Sequence, residues 1–450
     1  MSLLTPMLRT SPLTAWFSDA QRVQSMLDFE AALVRAQAAC GVVPQAAVAP
    51  IVNACRHSAI DFPALEQAAA SAGNLAIPLV KQLTACVKAQ NEEAARYVHW
   101  GATSQDAIDS GLVLQLRGAL DETALLLQRL IDGFALQAER YQNTVMPGRT
   151  WMQHALPVTF GLKLAGTLDA LLRWQQRLRE MRPRALVLQF GGAAGTLDSL
   201  KKDGPQVAEQ LAKALGLALP DTPWHSQRDR VLEVGAWFAG VCGTLGKFAN
   251  DFALLMQTEV AEVGEPVAEG RGGSSTMPHK RNPIACSAIL TAAQRTPGLV
   301  ATLYASQIQQ HERALGGWQA EWETLPQLIT LVGGALAQSE ALVREMQVFP
   351  QKMRADLDLT HGLIMAEAVT LALAEFIGKA EAHHCIEALC RQAIDQSRPL
   401  LALLKSDPQV SQYLSVPRLT TLLDPATATG SAELFVRQVV ARYKEQRHEP

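Results

Sequence analysis

Between residues 104 and about 143 the apolar positions Leu112, Leu116, Leu120, Ala124, Leu127, Ile131 and Phe134 recur every three or four residues, the repeat of one helix face. That stripe predicts a helix of roughly 40 residues, ~60 Å long, well beyond the usual three or four turns. A second stripe, Val231, Val234, Phe238, Val241, Leu245, Phe248, Phe252 and Leu255, alternates spacings of three and four without a slip. Such a heptad seam belongs to long helices packed nearly parallel in a bundle. Further helices are predicted at about 157–181, 283–314 and 327–346. Prolines, which break helix interiors, are absent between Pro78 and Pro147, between Pro157 and Pro183, and between Pro223 and Pro266. Strand-like alternation is nearly absent. The predicted fold is all-α, with an elongated central bundle over 104–350, a smaller N-terminal helical domain over 1–103 and a C-terminal helical domain over 351–450.

Two stretches interrupt the helical pattern. One, about 185–226, contains Gln189-Phe190-Gly191-Gly192-Ala193-Ala194-Gly195-Thr196; the other runs from Val263 to Asn282. Long loops without structure of their own are uncommon and are often lids or binding loops.

Composition narrows the function classes. Forty Lys and Arg against 43 Asp and Glu leave a net charge of −3, so no global positive field recruits nucleic acid or an anionic membrane. An anion must be caught locally. The seven cysteines are scattered with no C-x-x-C pair, which disfavours a disulfide framework or a zinc site and suits a reducing cytoplasm. The start, MSLLTPMLRTSPLTAW, does not read as a secretory signal, and no apolar run approaches the roughly 18 residues of a membrane helix. A soluble cytoplasmic protein is expected, with no nucleic-acid or membrane partner.

Three segments could carry chemistry. In Arg271-Gly272-Gly273-Ser274-Ser275-Thr276-Met277-Pro278-His279-Lys280-Arg281-Asn282-Pro283, paired glycines let backbone amides approach a ligand, and hydroxyls and cations stand close by. Asn282 and Pro283 read as an N-cap and first helical residue, so the positive end of a helix is expected there. Together these features suit a carboxylate or enolate; a polar turn ahead of a helix is the plain alternative. In Val98-His99-Trp100-Gly101-Ala102-Thr103-Ser104-Gln105-Asp106, Thr103 or Ser104 would cap the long helix, with Asp106 in its first turn, which taken alone is ordinary capping chemistry. His99 by itself reads as a structural histidine. In Gly148-Arg149-Thr150-Trp151-Met152-Gln153-His154-Ala155-Leu156-Pro157, a polar lead into a helix, Arg149 and His154 could bind an acidic ligand or bond neighbouring backbone.

Taken in order, HWGATSQD, GRTxxQ and GSSTMPHKRNP resemble the conserved regions of the fumarase/aspartase superfamily over most of the chain. The resemblance is nearest to the branch that holds adenylosuccinate lyases and bacterial 3-carboxy-cis,cis-muconate cycloisomerases. It implies an all-α homotetramer with a five-helix bundle in each subunit, active sites assembled from three subunits, a small polycarboxylate substrate and no metal or organic cofactor. It further implies Ser274 as the residue that exchanges the proton alpha to a carboxylate. Lys280, Asn282 and loop amides would then stabilise the enolate dianion. Serine is a poor base at its free pKa, and the helix end and Lys280 would activate it. The remaining substrate carboxylates are assigned to Thr103, Ser104, Thr150, Gln153 and His154, with Arg149 and Arg271 as weaker candidates; His99, Trp151 and Ser275 are also assigned to substrate binding, Trp151 with core filling as its plain alternative.

Two departures from the lyase pattern bear on the reaction. Lyases of the superfamily commonly read GRTH where this chain has Trp151, and pair that histidine with a glutamate seven residues after the loop lysine, where this chain has Ser287. An amine or hydroxide leaving group needs a general acid, worth roughly 10²–10⁴ in rate. A carboxylate, with a conjugate-acid pKa of about 4, departs without one. Loss of the pair suits elimination from a lactone and its reverse, a cycloisomerisation, with His154 as a substitute acid close in sequence. Near Glu312-Arg313 an adenylosuccinate lyase-like phosphate run is replaced by Trp318-Gln319-Ala320-Glu321-Trp322. Hydroxyl and guanidinium donors are lost there, which disfavours a nucleotide substrate. The alternatives are an adenylosuccinate lyase-like C–N lyase and a homologue that kept the fold without turnover.

Overall fold

A computed structural model describes residues 3–57, 60–266, 272–273, 277 and 279–448. Helices dominate. In chain order the elements used below are α1 (Asp19–Ala39), α2 (Ser104–Arg140), β1 (Val145–Thr150), β2 (Gln153–Thr159), α3 (Phe160–Ala185), α4 (Gly204–Leu215), α5 (Asp229–Leu255), β3 (Val263–Gly264), α6 (Ile284–Ala305), α7 (Gly317–Glu345), β4 (Gln347–Val348) and α8 (Pro350–Leu357). Sheet is confined, among the described residues, to the antiparallel pairs β1–β2 and β3–β4.

The chain forms two compact units. One comprises Met1–Leu127, Trp174–Leu245 and Ala288–Ala337; the other Gln128–Arg173, Gly246–Ser287 and Gln338–Pro450. The long helices α2, α3, α5, α6 and α7 each supply residues to both.

The apolar stripes explain why these segments are helices. On α5 every seam residue from Val231 to Leu255 is buried. Burying a side chain of this size contributes roughly 1.5–3 kcal/mol, so the seam outweighs the entropy of ordering its helix. In the first unit Trp237 packs edge-on to Trp174 and Phe238, with ring centroids 6.3 and 5.0 Å away. In the second, Phe248 meets Phe134 edge-on at 4.9 Å. Farther along that unit, a separate apolar cluster of Val369, Leu373, Ile386, Leu400, Leu404 and Leu419 organises the C-terminal helices.

Several expectations change. The interruption at 185–226 is not structureless: it holds α4, whose Val207, Leu211 and Leu215 are buried, preceded by a 3-10 helix at Asp198–Asp203. The segment 148–157 is not a lead into a helix but most of the β1–β2 hairpin, with Thr150 opposite Gln153 and Arg149 opposite His154. Its loop is Trp151-Met152, both at positive φ (51° and 65°), the signature of a type I′ turn. α7 begins ten residues before the predicted 327, with Pro326 inside it, because burial of Trp318, Glu321 and Leu325 outweighs the proline penalty. α6 ends at Ala305 rather than 314.

A fully buried ion triad crosses the first unit. Arg228 donates to both oxygens of Asp109 (2.7 and 3.0 Å) and to both of Glu321, at 2.6 Å from Nη2 to Oε2. Asp109 also accepts from Trp318 Nε1 (3.0 Å) and Gln105 Nε2 (3.0 Å). One cation thus serves two carboxylates, and each carboxylate oxygen is hydrogen-bonded, which offsets the cost of burying them.

Candidate functional site

His99, Thr103 and Ser104 lie in the first unit, and Arg149, Thr150, Trp151, Gln153, His154, Lys280 and Asn282 in the second. Ser274, Ser275 and Arg271 lie outside the described residues.

The segment before α2 is held by buried acids. His99, at φ 56°, places Nδ1 2.6 Å from Oε1 of the buried Glu30. Burial disfavours the imidazolium, but Glu30 and Asp106 outweigh it and raise the His99 pKa. Gln37 Nε2 donates to the Trp100 carbonyl at 2.6 Å, fixing the turn that follows. Asp106 does more than cap. One oxygen accepts from the Thr103 and Gly192 amides (3.0 and 2.9 Å), the other from the Gly191 amide (2.9 Å) and Gln189 Nε2 (3.3 Å). Burial pushes its pKa up to about 6 against the pull of these donors. Thr103 and Ser104, both half-buried, are thereby presented on a backbone clamped to the 189–192 strip.

In the hairpin, Arg149 makes a two-pronged bond to Glu262 (3.0 and 2.8 Å), a fully buried carboxylate. Its guanidinium thereby anchors the hairpin to the segment that precedes β3. Burial and neighbouring Asp356 push Glu262 up despite Arg149. His154 lies on the partner strand with Nδ1 buried and unpartnered; burial and the Arg149 cation lower its pKa. Thr150 and Gln153 are exposed at the loop end. Trp151 is 97% exposed within this chain, so it neither fills a core nor occupies space vacated by a histidine inside the subunit.

At the glycine-rich run, Gly273 pairs with Arg281 in an antiparallel bridge, and the Asn282 amide donates to the Gly272 carbonyl (2.9 Å). Lys280 is exposed and Asn282 half-buried. The expected Asn282 cap is absent: α6 starts at Ile284, and the buried Glu265 carboxylate accepts from the Ala285 and Cys286 amides (3.0 and 2.9 Å). Glu265 does the capping from 20 residues upstream. Its charge cancels much of the positive helix end, and Lys280 and Arg281 are the described cations just ahead of it.

Spacing alone assigns no partner to several other groups that the fold pairs: Gln105, Asp109, Glu265, Glu262, Arg228, Glu321 and Arg313. Trp318 and Glu321, where the nucleotide-phosphate run would stand, are both taken up by the buried triad. A cavity of about 700 Å³ in the first unit is lined by Arg9, Phe17, Arg22, Leu112, Trp322 and neighbours and includes none of the predicted site residues. Among the described residues no group of three or more His, Cys, Asp or Glu could hold a metal ion, and no single helix is long and apolar enough to cross a membrane.

Residues 7–298 match the family model described as "Lyase", and 362–439 that described as "Adenylosuccinate lyase C-terminus". The chain belongs to the fumarase/aspartase superfamily. It is 56% identical to the 3-carboxy-cis,cis-muconate cycloisomerase of Pseudomonas aeruginosa over 98% of this chain and 96% of that one. It is 45% identical to the enzyme of the same name from Acinetobacter baylyi over 96% of each. The crystal structure of the 3-carboxy-cis,cis-muconate lactonizing enzyme from Pseudomonas putida superposes with a TM-score of 0.94 at 50% identity, covering 98% of both chains. Membership accounts for the all-α architecture, and places the chain among lyases and cycloisomerases.

Proposed function

We propose that this protein is a 3-carboxy-cis,cis-muconate cycloisomerase, acting in the protocatechuate branch of aromatic catabolism. The observation that carries the reading is near full-length likeness to enzymes of that name. Trp151 and Ser287, standing where lyases of the superfamily commonly place a histidine and its glutamate, supply the chemical reason. In the lactonising direction one carboxylate of the substrate adds to the conjugated double bond. Electron density moves onto the neighbouring carboxylate as an enolate dianion. Lys280, Asn282 and loop amides stabilise that charge, and Ser274 delivers the proton to the alpha carbon. In reverse, Ser274 removes the proton and the lactone carboxylate leaves unaided, since its conjugate acid has a pKa of about 4. Thr103, Ser104, Thr150, Gln153 and His154 hold the remaining carboxylates. No metal or organic cofactor takes part. The protein works as a cytoplasmic homotetramer with sites shared between subunits, a reading that rests on the superfamily resemblance.

Purified protein supplied in turn with 3-carboxymuconate, adenylosuccinate and argininosuccinate, followed by ultraviolet absorbance, tests the reading. Conversion of 3-carboxymuconate supports it; conversion of adenylosuccinate alone overturns it. Ser274→Ala should lower kcat by about 10²–10⁴ while substrate binding changes little. Near-normal turnover in that variant would remove Ser274 from the proton transfer.

A further inference from the structure

Within the second unit two buried carboxyls from different segments meet beside the hairpin. Glu262 is fully buried and Asp356 2% exposed. The Glu262 backbone is pinned on both sides: its amide donates to the Leu255 carbonyl (2.9 Å), and its carbonyl accepts from the Phe349 amide just ahead of α8 (3.0 Å). Its carboxylate takes the Arg149 fork. Asp356, in the last turn of α8, accepts from Lys352 through Oδ1, while its Oδ2 is buried and has no hydrogen-bond partner. The two carboxyls stand within hydrogen-bonding reach of each other, and burial together with that contact raises the Glu262 pKa. Two ionised carboxyls do not satisfy this arrangement. The charged and titratable groups facing them are Arg149 and His154 from the hairpin and Lys352 one turn earlier on α8. The Arg149 fork is spent on Glu262, Lys352 is half in solvent, and Asp356 Oδ2 receives a donor from neither. The negative end of α8 adds to the repulsion at Asp356. One proton between the carboxyls removes that repulsion and gives the orphaned oxygen a hydrogen bond.

We propose that Asp356 is a positioning residue for the reaction: it shares one proton with Glu262 and thereby holds the hairpin that carries Thr150, Gln153 and His154. The shared hydrogen bond fixes the Glu262 carboxylate against Arg149. Arg149 stands opposite His154 in the strand register and directly precedes Thr150, which pairs with Gln153. A tilt of its guanidinium therefore moves all three side chains together. Sharing the proton also reduces the negative charge that Asp356 presents to His154, whose ring stays neutral beside the Arg149 cation. The inference rests on the functional reading above, which assigns those three residues to substrate carboxylates.

The test combines infrared difference spectra of the full-length protein in heavy water, steady-state kinetics with 3-carboxymuconate, and calorimetric binding of propane-1,2,3-tricarboxylate. At about pH 5.5, where ordinary carboxyls are ionised, wild type should show a protonated-carboxyl band that is lost in Asp356→Asn and again in Glu262→Gln, because an amide at either place supplies the N–H that the shared proton supplied. Asp106 and Glu321 are also raised by burial, so the band is read as wild type minus variant. Asp356→Asn should keep KM and tricarboxylate affinity within about threefold of wild type, whereas Asp356→Leu, similar in size but without a donor, should weaken both about 10–100-fold. Rescue by asparagine separates positioning through a hydrogen bond from mere filling of space. The spectra and the tricarboxylate affinities decide the proposal even if wild type fails to turn over 3-carboxymuconate, a result that counts against the proposed reaction alone. Asp356→Asn keeps both size and hydrogen bonding, so it folds even if Asp356→Leu does not. An unchanged spectrum in Asp356→Asn would overturn the proposal, as would an asparagine variant whose tricarboxylate binding falls about tenfold or more, or a leucine variant that binds as wild type does.

Discussion

Replacing Arg228 by methionine removes the one cation between two carboxylates that are 1% and 2% exposed. At charge separations of ~4 Å and an effective dielectric of about 20, each of the two attractions is worth roughly 4 kcal/mol, offset in the native protein by the cost of desolvating three ions. The variant keeps the buried carboxylates and loses their compensation, a loss of about 3–5 kcal/mol. For a unit of roughly 250 residues, at about 2 °C per kcal/mol, thermal unfolding at pH 7 should begin 6–10 °C earlier. The loss should depend on pH in a defined sense. Burial raises the Glu321 pKa even with Arg228 present, and without the cation it climbs further. A folded-state pKa above the unfolded value means that the folded chain binds more protons in that window, so stability falls as pH rises through it. The deficit should therefore be largest at pH 7 and shrink towards pH 5. Thermal and urea unfolding at the two values measure it. A variant midpoint within about 2 °C of wild type at pH 7, or a deficit that grows on acidification, would refute the electrostatic account of the triad.

Asp106 titrates near pH 6 folded and near 3.8 free, so its contribution to stability falls as pH rises between those values. Asp106→Asn, which does not titrate there, should gain about 3 kcal/mol relative to wild type between pH 4 and 7, on top of a constant loss from its weaker acceptor set; urea unfolding across that range measures the slope. Glu265→Ala should cost about 1–2 kcal/mol by exposing the α6 amides, read as an earlier unfolding midpoint. Changing Trp151-Met152 to Asn-Gly relieves two non-glycine residues at positive φ, worth roughly 1 kcal/mol each, and should raise stability. If the exposed Trp151 packs over substrate or a second subunit, the same change lowers kcat/KM; unchanged activity would assign the tryptophan no functional contact.

Local repetition along the chain was enough for the long helices, because apolar residues at spacings of three and four can be buried together on one side of a helix and on nothing else. The stripes on α2 and α5 are buried much as their spacing requires. The polar triad was legible too, in a form easily passed over. Asp109 continues the row of Leu112 and Leu116, Arg228 that of Val231 and Val234, and Glu321 that of Leu325 and Leu328. A charge standing on an apolar stripe must either meet a partner or stay in water, and spacing cannot say which. That answer lay in the fold, which brings together side chains more than 90 residues apart. The same holds for the Glu265 cap and the Arg149–Glu262 bond. Helix periodicity is set by neighbours within one turn, whereas the identity of a charged group's partner is set by where distant segments come to rest.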